Sequence, residues 1–193
     1  MDKSGIDVLI SAPQKGWSAS PCCALVMLSA AGLELLKKTE SSSFSCDLRK
    51  WWDIMEAYEN GGHAYHATMP TDSLRRFRYI MKETEEYGFE KVRAEQQELG
   101  DKVRAMLTEK GFKSVASEGF QAPGVVVSYT NDKGIQTGKK FAELGFQIAA
   151  GVPLQCDEPE DYQSFRLGLF GLDKLHNIGR TVEKLEKALS AID

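Results

Sequence analysis

A lysine in the N-terminal part of the chain stands where it could react with a small molecule. Lys15 follows the apolar run Val8–Ser11 and lies in a loop marked by the structure breakers Pro13 and Gly16. If the loop holds this lysine partly out of water, its amine could attack a carbonyl group and form a Schiff base. Because most lysines are exposed, an ordinary solvated loop lysine is the alternative.

An arginine in the C-terminal part could bind a carboxylate. Arg166 belongs to the alternating segment Phe165–Phe170, in which the apolar residues take one face of a strand and Arg166 takes the other. A guanidinium binds a carboxylate through two parallel hydrogen bonds, and Gly168 would leave space for it above the sheet. The alternative is an exposed arginine on a strand.

His63 and His66 are spaced like a pair of metal ligands. A zinc site needs three or four protein ligands, and the chain has only one further histidine, His176. No acidic residue follows at a ligand-like spacing. We therefore predict no metal site, and we expect these histidines to pack or hydrogen-bond within an ordered loop.

The chain has four cysteines, of which two are adjacent: Cys22, Cys23, Cys46 and Cys156. Neighbouring residues on a strand point to opposite faces, so we expect that Cys22 and Cys23 cannot both serve one site. No spacing suggests a disulfide framework, which predicts free thiols in a reducing cytosol.

The composition is that of a soluble globular protein, with 193 residues, 42% hydrophobic and 27% charged. The net charge of -4 argues against a nucleic-acid partner. The longest apolar run, Cys22–Leu28, is far shorter than the roughly 20 residues that span a bilayer. The N-terminus does not resemble a signal peptide. We therefore expect a cytoplasmic protein without a membrane partner.

Two types of architecture follow one another along the chain. The apolar runs Val8–Ser11 and Cys22–Leu28 predict two buried strands, antiparallel if they pair, and Ser29 should cap the next helix. The second half alternates long helices with short strands, which predicts an α+β layer. Its predicted helices are one capped by Asp72 or Ser73 and ending at Gly88, one over 89–110, one over 137–144 and one over 174–192. Its predicted strands cover 124–129, 147–149 and 165–170.

Four segments resemble one enzyme family, in the same order along the chain. The segment Ser11–Trp17 reads SAPQKGW and resembles the lysine segment of the class V aminotransferases, which are fold-type I enzymes that use pyridoxal 5′-phosphate (PLP). The nearest group is that of the alanine–glyoxylate and serine–pyruvate aminotransferases. Tyr65–Pro70 is similar to the family's phosphate loop, Phe165–Leu169 to its substrate-arginine strand and Lys174–Ile192 to its last helix.

The resemblance implies a role for five residues. Lys15 would carry the cofactor as an internal aldimine and move the proton of the substrate, and Gln14 would contact the cofactor near its phosphate or ring. Tyr65 and Thr68 would bind the phosphate of the cofactor in the other subunit, which makes the site a property of a homodimer. Arg166 would hold the α-carboxylate of the amino acid.

The resemblance also implies a fold and a division into domains. The fold would be α/β, the C-terminal part of the fold-type I PLP-dependent transferase fold. Residues 1–72 would be a remnant of the PLP-binding large domain, and residues 73–193 would form the complete small α+β domain. Chains of this family are roughly twice as long, so the catalytic site would be complete only in a longer parent chain.

The implied reaction is PLP-dependent transamination between alanine or serine and glyoxylate or pyruvate. One alternative is a catalytically incomplete fragment with a structural or dimerisation role. Another is a different PLP reaction, such as that of a lyase or a cysteine desulfurase. Desulfurases usually carry histidine directly before the lysine, where this chain has Gln14, so transamination is favoured.

Overall fold

The computed structural model describes residues 1–192, except for the side chain of Asp2. The chain divides into two compact units. The first consists of Met1–Lys15 and Ala19–Tyr79, and the second consists of Gly16–Ser18 and the chain from Ile80 onward. In the part of the chain that the structure describes, no helix is both long enough and apolar enough to cross a membrane.

The first unit combines a hairpin with helices. Its elements are a short 3-10 helix (Asp2–Ser4), β1 (Val8–Ser11), β2 (Leu25–Leu28), α1 (Ala30–Leu36), α2 (Leu48–Glu59) and the first half of α3 (Thr71–Tyr87).

The hairpin of β1 and β2 confirms one prediction and contradicts another. The strands pair antiparallel, with Val8 opposite Leu28 and Ser11 opposite Leu25, as expected. They are not buried, since Val8 is 47% and Ile10 69% exposed. Among the described residues the sheet has only these two strands. An apolar run predicts a strand from its residue types, but its burial depends on neighbours that a short segment does not encode.

Strand β2 begins at Leu25, three residues later than the apolar run that predicted it. The expectation that Cys22 and Cys23 point to opposite faces of a strand is therefore wrong, because neither lies on a strand. The cap that follows β2 is confirmed: Ser29 Oγ accepts a hydrogen bond from the backbone N–H of Gly32 at 3.1 Å. The same hydroxyl donates to Asp7 Oδ1 at 2.5 Å, which links the helix start to the residue before β1.

The second unit packs helices on a small sheet. Its elements are the rest of α3, α4 (Phe89–Glu109), β3 (Val125–Tyr129), α5 (Lys133–Gln136), α6 (Lys139–Glu143), β4 (Ala149–Ala150), β5 (Ser164–Gly168), α7 (Leu172–Leu175) and α8 (Ile178–Ser190). The strands are antiparallel in the order β3-β5-β4. The core joins the buried sheet face to α4 and α8 through residues such as Leu99, Val103, Phe165, Leu167 and Leu189. This is the predicted α+β layer.

Two helices differ from their predictions at the ends. Helix α3 begins at Thr71, before the predicted caps Asp72 and Ser73, because the carbonyl of Pro70 already accepts from the N–H of Leu74 at 3.0 Å. The prediction of a single closing helix over 174–192 is wrong, since α7 and α8 are separate helices. Asn177 caps α8 by accepting from the N–H of Arg180 at 2.9 Å.

Between β3 and β5 the short elements were only partly predicted. Helix α5 was missed, although Asp132 caps it by accepting from the N–H of Ile135 at 3.0 Å. Helix α6 is shorter than predicted because Gly138, with a φ of 77°, precedes its first turn. Strand β4 lies at Ala149–Ala150, later than the predicted 147–149.

Candidate functional site

Lys15 lies in a loop that is closed by a backbone hydrogen bond. The N–H of Ala19 donates to the carbonyl of Pro13 at 3.0 Å, with Gln14 and Lys15 between them. Pro13 is buried, whereas Gln14 and Lys15 are exposed. Of the two interpretations of Lys15, its exposure agrees with the solvated loop lysine, because the buried anchor of the loop, Pro13, lies two residues earlier. The amine has no hydrogen bond or ion pair with any described residue, so it is open to a reactant.

Tyr65 and Thr68 bring two hydroxyl groups together. Tyr65 Oη lies 3.0 Å from Thr68 Oγ1, and either group can donate. Both residues are exposed, Tyr65 by 75%. Two adjacent O–H donors on an exposed loop suit an anion with several acceptor oxygens, such as a phosphate. The chemistry of this donor set therefore fits the phosphate of the implied cofactor.

An aromatic cluster holds the loop that carries these hydroxyls. The ring of His66 lies 4.2 Å from that of Phe44 and 5.0 Å from that of Trp51, between centroids. His66 Nε2 is 2.9 Å from the carbonyl oxygen of Phe44, and Trp51 Nε1 donates to the carbonyl of Ser45 at 2.8 Å. His66 thus packs and hydrogen-bonds, as predicted. Sequence reasoning missed Phe44 and Trp51, since only their aromatic character could have suggested that they support the loop.

Metal ligands are not grouped in the part of the chain that the structure describes. No set of three or more His, Cys, Asp or Glu side chains there is arranged to hold a metal ion.

Arg166 is oriented by the edge of its own sheet. It lies on the face of β5 opposite the buried Phe165 and Leu167, and its side chain is half-buried. Its Nε donates to the carbonyl of Ala150 on β4 at 2.8 Å. The two terminal nitrogens bond to no described residue. A fixed guanidinium with both terminal nitrogens available is the arrangement that binds a carboxylate at two points.

The space next to Arg166 is open, as predicted. A Cβ added at Gly168 would come no closer than 4.0 Å to Phe170 Cδ2, its nearest neighbour. The strand position beside the arginine therefore has room for at least a methyl group.

The predicted site residues fall into two groups. Gln14, Lys15, Tyr65 and Thr68 belong to the first unit, and Arg166 belongs to the second. Within the first unit a hydrogen bond joins Tyr65 and Thr68, whereas no hydrogen bond or ion pair between described residues joins Lys15 or Gln14 to either of them. Their assignment to one site stays a prediction.

The residues directly after Lys15 were not assigned any role from the sequence. Trp17 packs edge-on against Phe89, with 6.4 Å between the ring centroids, and both belong to the second unit. Ser18, with a φ of 52°, lies so close to Gly171 that a Cβ there would be 2.9 Å from Ser18 Oγ. The chain therefore enters the second unit immediately after the lysine. The sequence feature that could have indicated this packing is Trp17, a large aromatic residue two positions after Lys15.

Comparison with known proteins finds transaminases whose sequences align with nearly the whole chain. The 2-aminoethylphosphonate–pyruvate transaminase of Bacillus cytotoxicus is 29% identical over 170 residues, which cover 86% of this chain and 44% of that protein. The alanine–glyoxylate aminotransferase of Callithrix jacchus is 24% identical over 98% of this chain and 46% of that protein. No family model matches the chain.

A solved structure shows the same fold. The alanine–glyoxylate aminotransferase from Nostoc sp. superposes with a TM-score of 0.79 at 18% identity and covers 99% of this chain. The match covers 49% of that structure, so the chain spans about half the length of the proteins it matches.

These findings confirm the resemblance to the class V aminotransferases, which are PLP-dependent enzymes. They also confirm the fold class, since the chain has the α/β fold of the C-terminal half of the fold-type I PLP transferases.

Proposed function

We propose that this chain is the C-terminal part of a cytoplasmic, PLP-dependent aminotransferase that is complete only with the upstream half of a longer parent chain. The observation that carries the proposal is the exposed amine of Lys15, unpaired among the described residues, on a closed loop of a chain whose relatives are transaminases. An amine in this state can bond to the aldehyde carbon of the cofactor.

The other residues of the first unit would bind the cofactor. Tyr65 Oη and Thr68 Oγ1 would donate to phosphate oxygens of the cofactor in the second subunit, which requires a homodimer. Gln14, directly before the lysine, would contact the cofactor near its phosphate or ring. When bound, PLP supplies the electron sink that makes the α-proton of an amino acid acidic. Lys15 Nζ would take up that proton from the α-carbon and give it back during the reaction.

Arg166 would bind the substrate. Its terminal nitrogens take the two oxygens of the α-carboxylate, while the hydrogen bond from Nε to Ala150 keeps the guanidinium in place. We propose alanine or serine as the amino donor and glyoxylate or pyruvate as the acceptor. The names of the two curated relatives support small 2-oxo acids as acceptors, since they contain pyruvate and glyoxylate.

The alternative is a folded chain without catalysis, with a structural or dimerisation role. The exposed apolar side chains of β1, such as Ile10 at 69% exposure, favour it, because such a surface promotes association. Other PLP reactions, such as those of a lyase or a desulfurase, are less favoured because Gln14 precedes the lysine and Arg166 is free to bind a carboxylate.

Reductive trapping distinguishes these proposals. The purified chain is incubated with PLP, its visible absorbance is recorded, and the mixture is reduced with borohydride before peptide mapping by mass spectrometry. We expect one major adduct on Lys15, which Lys15→Ala abolishes and the control Lys38→Ala, another exposed lysine of the first unit, leaves intact. Adducts spread over many exposed lysines, or none, would favour the non-catalytic alternative.

A further inference from the structure

The adjacent cysteines Cys22 and Cys23 bring their sulfur atoms together. They lie in the irregular segment before β2, and both are half-buried. The Cys22 thiol points at Cys23 Sγ, with 3.9 Å between the two sulfurs. The sequence predicted that the two side chains could not serve one site, and the geometry shows a dithiol.

A direct bond between the two sulfurs does not suit this backbone. A disulfide needs about 2.05 Å between sulfurs and usually about 4.4–6.8 Å between the Cα atoms. Adjacent residues across a trans peptide hold their Cα atoms only about 3.8 Å apart. When a third atom bonds to both sulfurs, the sulfurs do not have to approach each other to the length of a disulfide bond. The pair therefore suits a bridging ligand better than a disulfide.

We propose that Cys22 and Cys23 form a binding site for monosubstituted trivalent arsenicals, a class of soft, thiol-seeking reagents that bond to two sulfurs at once. Soft thiolate ligands select soft ions, whereas zinc in a structural site takes four ligands. The proposal does not depend on the aminotransferase activity.

The binding step is balanced without an oxidant. An organoarsenic oxide, R–As=O, reacts with two thiols; the arsenic–oxygen bond is lost, two arsenic–sulfur bonds form, and the oxygen leaves as water with both thiol protons. Arsenic stays trivalent and no electrons are transferred.

The two thiols act in sequence. Burial, together with the neighbouring Cys22, raises the pKa of Cys23 to about 11, so Cys23 keeps its proton at neutral pH. The first bond forms at one of the two sulfurs through its thiolate, which is the reactive form. The second bond then forms within one molecule, where the effective concentration of the remaining thiol is high. This second bond makes the complex tight.

The test uses phenylarsine oxide with the full 193-residue chain. We expect one equivalent to bind, as seen by intact mass, with release by a dithiol and not by a monothiol. Cys22→Ser and Cys23→Ser should each weaken binding by about 100-fold, the order of gain expected from a second linked bond. The matched controls are Cys46→Ser and Cys156→Ser, which remove exposed cysteines and should leave binding unchanged.

A second measurement uses only the unaltered chain, so it does not depend on how the variants fold. Phenylarsine oxide should protect Cys22 and Cys23 from alkylation by iodoacetamide and leave Cys46 and Cys156 reactive, as read by peptide mapping. Equal protection of all four cysteines, protection of neither adjacent cysteine, or full binding by the Cys23→Ser variant would each overturn the proposal.

Discussion

Arg166 Nε donates a hydrogen bond to the backbone carbonyl of Ala150, with 2.8 Å between the two atoms. The bond spans neighbouring strands, because Ala150 lies on β4 and Arg166 on β5. It uses the one guanidinium nitrogen that a two-point contact with a carboxylate through the terminal nitrogens does not need. The arginine is thus oriented before any ligand arrives, which reduces the entropy lost on binding.

Replacing Arg166 by lysine should separate substrate binding from cofactor attachment. Lysine keeps the charge but lacks the planar fork. In the PLP-loaded protein we expect the alanine concentration that gives half of the spectral change to rise about 10- to 100-fold, as for the loss of a charged hydrogen bond. The borohydride adduct on Lys15 should be unchanged. Arg180→Lys, an exposed arginine of α8, is the control. Loss of the Lys15 adduct in Arg166→Lys would contradict the assigned role.

The paired hydroxyls of Tyr65 and Thr68 predict a preference for a phosphorylated cofactor. We expect Tyr65→Phe to weaken the binding of PLP by about tenfold, the value of one hydrogen bond to a charged group, and to leave unphosphorylated pyridoxal unaffected. Competition between PLP and pyridoxal, followed by visible absorbance, measures the ratio of their affinities. Tyr58→Phe is the control, since Tyr58 is also exposed in the first unit. If Tyr65→Phe weakened both compounds equally, the hydroxyl would not contact the phosphate.

Local signals predicted the elements that position the site. The predictions of Ser29 as a helix cap and of Gly88 as a helix end are correct, because each residue acts through its own backbone or its nearest neighbours. Arg166 was placed on the correct face of a strand because the alternation of Phe165–Phe170 encodes the two faces.

Properties that depend on distant parts of the chain could not be predicted in this way. The exposure of Ile10 depends on what covers the hairpin, and residue type does not encode this. The packing of His66 on Phe44 joins residues 22 apart. The wrong expectation for Cys22 and Cys23 has a different cause. The apolar run predicts a strand along its full length, but only its last four residues, Leu25–Leu28, form one.

Gly151 occupies a place where no side chain fits, directly after β4. A Cβ at this position would overlap the carbonyl oxygen of Ser164 on β5. We expect Gly151→Ala to lower the free energy of unfolding of the second unit by about 1–3 kcal/mol, as for overpacking elsewhere, measured by hydrogen exchange of the β5 amides in urea. Gly168→Ala adds the same methyl group where there is space, and it should change the free energy of unfolding by under about 0.5 kcal/mol. Equal effects would exclude the overlap as the cause.

The carboxylate of Glu158 is bound by three successive backbone N–H groups. It accepts from Leu154 at 2.5 Å, Gln155 at 2.9 Å and Cys156 at 2.8 Å. These hydrogen bonds, that from Cys156 foremost, lower the pKa of Glu158 to about 2. They favour the charged form, since a protonated carboxyl accepts such bonds more weakly.

The sign of the pH dependence follows from this lowered pKa. A carboxyl group whose pKa is lower in the folded than in the unfolded chain stabilises the fold above its unfolded pKa, about 4.3, and this contribution is lost as the pH falls toward about 2. We therefore expect Glu158→Gln to lower the urea midpoint of the loop's unfolding at pH 7 and to match the unaltered chain near pH 2. Amide exchange of residues 154–156 gives the readout.

The matched control for this titration is Glu160→Gln. Glu160 is an exposed carboxylate of the same loop and has no hydrogen bond or ion pair with any described residue. Replacing it should leave the difference in the loop's urea midpoint between pH 7 and pH 2 unchanged. If both variants lost the same stability at pH 7, the effect would come from the net charge of the loop, because only Glu158 accepts from the three N–H groups. A direct NMR titration of the Glu158 carboxyl carbon then provides a check that is independent of stability.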